Sequence, residues 1–145
     1  MNIQLLSDLH LETHPHFTPE ANPLADLLVL AGDIGSYQEG SMLFSRQDSD
    51  FGLARFSPRK DLGAWPVPVY FVPGNHEYYG AEFETANEYF KDLETKYSNF
   101  KFLNNESISI RDVDFFGGTM FTDWELDNDA WTAKQRAKDG IADFE

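Results

Sequence analysis

Apolar residues in this chain gather into short continuous runs, and each of the first three runs ends abruptly in a polar cluster. Ile3 to Leu6 leads into Ser7-Asp8, Leu24 to Ala31 is stopped by Gly32-Asp33, and Val67 to Val72 is stopped by Pro73-Gly74-Asn75. Runs apolar on both faces predict central parallel strands. The period changes over Glu82 to Tyr97, where Phe83, Ala86, Tyr89, Phe90, Leu93 and Tyr97 recur at helical spacing and predict a helix. Phe100 to Leu103, Ser107 to Ile110 and Val113 to Phe116 predict short strands in an antiparallel meander, turning at Asn104-Asn105 and Arg111-Asp112. Asp127-Asn128-Asp129 offers an N-cap for a last helix from Ala130 to Ile141, with Ala130, Ala133, Ala137 and Ile141 on one face.

Two stretches lack a period. Pro15, Pro19 and Pro23 make Glu12 to Pro23 an irregular loop. Between the second and third strands, Ser36 to Pro66 is broken by Gly52, Pro58, Gly63 and Pro66, and only Met42-Leu43-Phe44 seeds a helix. That segment reads as an insertion over the strand ends. The pattern predicts an α/β fold in a single domain over residues 1–145, with mainly parallel core strands. In such sheets ligands bind beyond the carboxyl ends of the strands, where the three polar clusters fall.

Composition narrows the partners. The 145 residues include 25 acidic and 11 basic side chains, for a net charge of -14, a field that repels phosphate backbones and anionic lipid. Nucleic acid and membrane are therefore not expected as general partners, and a phosphate substrate would need bound cations to draw it in. With no cysteine, disulfides, thiolate nucleophiles and cysteine zinc sites are excluded. Met1 to Asp8 lacks a basic leader and reads as a first strand, and no apolar stretch reaches the ~20 residues of a membrane span, so a cytoplasmic location is expected.

The chemistry lies in Asp8-Leu9-His10, Gly32-Asp33 and Gly74-Asn75-His76-Glu77. If the backbone beyond the first strand stays extended, Asp8 and His10 project to one side and reach one ion. Asp33 can bridge two ions, which in paired sites stand about 3.5–4 Å apart, and Asn75 offers a neutral carbonyl oxygen to the second. His76 would point away from Asn75 and meet substrate, as a proton donor or hydrogen-bond partner of a phosphoryl group. Gly32 and Gly74 let the backbone turn where a Cβ would interfere. His14 and His16 read as exposed loop residues, Glu12 and Glu77 as makers of supporting hydrogen bonds, and Tyr78, Tyr79, Asp123 and Trp124 as structural.

Ser7-Asp8-Leu9-His10-Leu11-Glu12, Leu30-Ala31-Gly32-Asp33-Ile34 and Val72-Pro73-Gly74-Asn75-His76-Glu77-Tyr78-Tyr79, in that order, resemble the calcineurin-like metallophosphoesterase superfamily. Gly117 to Trp124 is similar to a segment of its small bacterial and phage members. The resemblance implies the first half of the layered metallophosphoesterase α/β sandwich, and hydrolysis of a phosphoester by water activated on two divalent ions (Mn, Fe, Zn or similar). It implies Asp8 and His10 on the first ion, Asp33 as the bridge, Asn75 on the second ion and at the substrate, and His76 as the catalytic, substrate-binding histidine. The lone later His and the Gly-His-x-His of the family do not occur after His76, so the second ion is expected to be weakly held or absent. The Asp-Arg-Gly and Arg that flank these motifs in Ser/Thr protein phosphatases are also missing, which favours a small phosphomonoester or phosphodiester. The alternative is a non-catalytic or self-associating module, in which a homo-oligomer covers the surface that a second half would bury.

Overall fold

The computed structural model describes residues 1–126 and 128–141. Four parallel strands, β1 (Ile3–Leu6), β2 (Leu27–Ala31), β3 (Val69–Val72) and β4 (Phe100–Phe102), form one sheet in sequential order. A hairpin of β5 (Glu106–Ile110) and β6 (Val113–Gly117) forms a second, antiparallel sheet. The helices are α1 (Met42–Arg46), α2 (Phe83–Lys96) and α3 (Ala130–Gly140).

Register separates the two faces of the parallel sheet. Leu28, Leu30, Val69, Phe71, Phe100 and Phe102 alternate onto one face and are buried against α2 and the segment between β2 and β3. Phe90 of α2 is the hub, with its ring 5.3 Å from Phe71, 5.4 Å from Phe102 and 5.2 Å from Phe51. The other face carries Leu27, Val29, Tyr70 and Val72, covered by Ile108, Ile110 and Phe115 of the hairpin, with Phe115 edge-on to Tyr70 at 5.8 Å. The hairpin does not reach the β1 end of this face, where Ile3 and Leu5 stay 46% and 63% exposed.

The expected three-stranded meander is a two-stranded hairpin. Its first member, β4, pairs in parallel with β3 (Val69 opposite Phe100, Phe71 opposite Phe102). The 14-residue α2 returns the chain to the same end of the sheet, and a strand delivered by such a crossover joins its predecessor in parallel. The helix seeded at Met42 is a single turn, with Ser41 Oγ accepting the N–H of Phe44. For α3 the cap is Asp129, whose carboxylate accepts the N–H of Thr132 at 3.0 Å. Asp127 lies outside the described residues. Ala137 is buried and Ala130 and Ala133 half-buried, while Ile141 remains exposed. Among the described residues no helix is long and apolar enough to cross a membrane.

Candidate metal centre

The segments after β1 and β2 run side by side beyond the sheet. Asp8 N–H donates to the Gly32 carbonyl at 3.0 Å, His10 N–H to Asp33 at 3.1 Å and Leu11 N–H to Ile34 at 2.9 Å. The extended backbone expected for Asp8 to His10 is not what forms. Asp8, His10 and Asp33 sit at φ of 53°, 45° and 54°, a left-handed conformation that non-glycine residues adopt at a cost. The cross-loop hydrogen bonds and the burial of Leu11 hold them there, and strain of this kind gathers at functional sites.

Close approach of the second and third clusters depends on two glycines. Gly32 is at φ +86°, and a Cβ on it would meet the backbone of Gly74 at 3.0 Å. A Cβ on Gly74 would lie 2.1 Å from the Asp33 carboxylate. Across this contact reaches Glu77, fully buried, from the 3-10 turn His76–Tyr78. Its Oε1 accepts the N–H groups of Ile34 and Gly35 at 2.6 and 3.0 Å, and its Oε2 those of Asp33 and Gly74 at 3.0 and 2.6 Å. Burial pushes this carboxyl up to about 7, against the N–H groups of Gly35, Gly74 and Asp33 that favour its charge. Four donors around two oxygens fit the ionised form, because a proton would displace one of them.

The result is a group of donors at the strand ends. Ligand atoms of His10, Asp33 and His76 all lie within 4.8 Å of one another. Asp33 Oδ1 also accepts the backbone N–H of His76 at 3.1 Å, which ties the second cluster to the third. The rings of His10 and His76 meet edge to face at 4.5 Å. Glu12 lies beneath them, 5% exposed, and its Oε1 stands at hydrogen-bond distance from both rings, 3.0 Å from Nδ1 of His10 and 2.9 Å from Nδ1 of His76. Its Oε2 accepts the N–H of Ser36 at 3.2 Å. Burial lowers the His10 pKa, but the Glu12 hydrogen bond and the negative charges of Glu12, Asp33 and Asp8 together raise it above its ordinary value.

The other candidates take distinct places. Asp8 is exposed and its carboxylate stands outside that group, although its charge is felt at His10. Asn75 donates its amide N–H to the Tyr79 hydroxyl at 2.6 Å, and the Tyr79 ring also lies 4.7 Å from that of His76. Asn75 also borders an apolar cavity of about 820 Å³ with Tyr79, Phe116, Thr119, Met120 and Trp124. Thr119 is held to this rim by a 2.6 Å hydrogen bond to the Pro73 carbonyl, so the segment after β6 does reach the site. Tyr78 is a packing residue, stacked on Phe83 at 4.5 Å. His14 and His16 are exposed loop residues. The link from Glu12 to His76 spans 64 residues, and the one hint of it in the sequence is an acid two positions after His10.

The group of His10, Asp33 and His76, with Glu12 Oε1 beside both rings, is a candidate site for a divalent ion. An α/β sheet with donors of this chemistry at the carboxyl ends of β1, β2 and β3 defines a domain with a candidate metal site at its strand ends. The family model for calcineurin-like phosphoesterase matches residues 1–143, and the chain belongs to that family. An uncharacterized protein of Acanthamoeba polyphaga mimivirus is 28% identical over 136 residues, covering 83% of this chain and 44% of its own length. The chain thus spans less than half of that relative. No solved structure gives a significant match.

Proposed function

We propose that this chain carries the metal-binding part of a phosphoester hydrolase acting on a small phosphomonoester or phosphodiester. The observation that supports this most is the convergence of His10, Asp33 and His76 from three strand ends. When bound, divalent ions supply an activated water and neutralise charge on the phosphoryl group. In this reading Asp8 turns in to join His10 and Asp33 on the first ion, Asp33 and Asn75 hold the second, and His76 stands beside the ions without ligating them. His76 faces the phosphoryl group. With Nδ1 on Glu12, its Nε2 hydrogen-bonds a phosphoryl oxygen or gives a proton to the leaving group in the imidazolium form, where both ring nitrogens are donors. The net charge of -14 favours a small substrate, drawn in by the ions, over a nucleic acid.

The test is metal analysis of the purified chain, followed by Mn2+-supplemented turnover of bis(p-nitrophenyl) phosphate and p-nitrophenyl phosphate. Expected are bound metal, metal-dependent turnover, loss of metal in Asp33→Asn, and loss of turnover with metal retained in His76→Ala. A wild-type chain that binds no divalent ion overturns the reading. The exposed Ile3 and Leu5, at the β1 end of the sheet face that the hairpin leaves open, support a second reading, a module that self-associates over that face. A monomer by sedimentation would remove it.

A further inference from the structure

Glu12 serves two histidines with one oxygen. A buried carboxylate needs hydrogen-bond donors, and Oε2 already has one in Ser36 N–H. Oε1 does more than satisfy burial, because the Nδ1 atoms of His10 and His76 both lie within 3.0 Å of it. An ionised carboxylate only accepts, so each neutral ring carries its hydrogen on Nδ1 and its lone pair on Nε2. The turn that makes this possible is local: Leu11 is fully buried and anchors the chain, so His10 and Glu12 flank it and meet at 3.0 Å. His76 arrives from the third strand end, 64 residues away, onto the same oxygen.

We infer that Glu12 is a positioning residue that fixes both imidazoles in one tautomer, so that the metal-facing histidine and the substrate-facing histidine are set by a single side chain. This rests on the metal-site reading proposed above, and it adds a coupling that reading does not contain: a change at residue 12 alters His10 and His76 together. A carboxylate or carbonyl behind a metal-ligating histidine fixes its tautomer and raises its basicity, and loss of such a partner weakens metal binding about 10- to 100-fold.

The experiment reads tautomers and affinity separately. Long-range 1H–15N NMR of the metal-free chain, at a pH where both rings are neutral, is expected to find His10 and His76 protonated on Nδ1. In Glu12→Ala both rings become tautomer mixtures, and Mn2+ affinity, followed by EPR titration, falls about 10- to 100-fold. Glu12→Gln keeps the shape and an acceptor oxygen, so it retains the fold if Ala does not and gives smaller changes in the same direction. The proposal is overturned if folded Glu12→Ala keeps both tautomers, if Glu12→Gln leaves Mn2+ affinity unchanged, or if only one ring responds. Absence of Mn2+ binding by the wild-type chain defeats the metal-site reading instead, while the tautomers still decide the role of Glu12.

Discussion

Glu77 Oε1 accepts the backbone N–H of Ile34 at 2.6 Å, across 43 residues of sequence. With the N–H groups of Gly35, Asp33 and Gly74 on the same carboxylate, this side chain ties the third strand end to the second. Glu77→Gln turns one acceptor oxygen into a donor that faces two N–H groups. Each buried N–H left without an acceptor costs about 1–3 kcal/mol, so the loss of stability is roughly 2–6 kcal/mol. Urea unfolding should report it as a lower midpoint at unchanged slope.

Gly74→Ala acts on the site more than on the core. The added methyl would stand 2.1 Å from the Asp33 carboxylate and 2.7 Å from its backbone nitrogen, so Asp33 must move. Mn2+ affinity by calorimetry is expected to fall about tenfold or more. Gly140→Ala, where nothing lies within 4 Å, is the control and leaves affinity unchanged.

Phe90→Ala removes the ring at the centre of the aromatic cluster formed with Phe71, Phe102 and Phe51. A fully buried Phe truncated to Ala costs about 3–5 kcal/mol. A small domain is stable by only about 5–15 kcal/mol, so this variant should be near its unfolding threshold in calorimetry.

Tyr97 gives the chain a pH signature in the alkaline range. Burial first, and then the Asp50 carboxylate beside its hydroxyl, push it up to about 12. The unfolded chain releases this proton near 10, so the tyrosine's contribution is fully present below that value and is lost as pH rises toward 12. Absorbance titration of phenolate should show a late component that disappears in Tyr97→Phe, and stability should fall with pH over that window.

Much of the site was legible along the chain. Apolar runs ending in Asp8, Asp33 and Asn75 predicted parallel strands with chemistry at their carboxyl ends, and the sheet of β1 to β4 carries them there. The two glycines were readable as close-approach residues, and Gly32 and Gly74 do meet backbone to backbone. The supporting hydrogen bonds expected of Glu12 and Glu77 formed as well. The partner of β4 was not readable, because a short apolar run looks the same in a hairpin and in a parallel sheet, and the crossover through α2 decides between them.

The sequence by itself determined the family, the strand ends that carry the polar clusters, and the donor types available there, because residue type and short period are local properties. Tertiary structure alone decided that Asp8, His10 and Asp33 take left-handed backbone, that Glu77 clamps two loops, and that His76 meets His10 over one oxygen of Glu12. Those outcomes depend on hydrogen bonds between segments 24 to 64 residues apart, formed only when the sheet brings its strand ends together, and no local period records them.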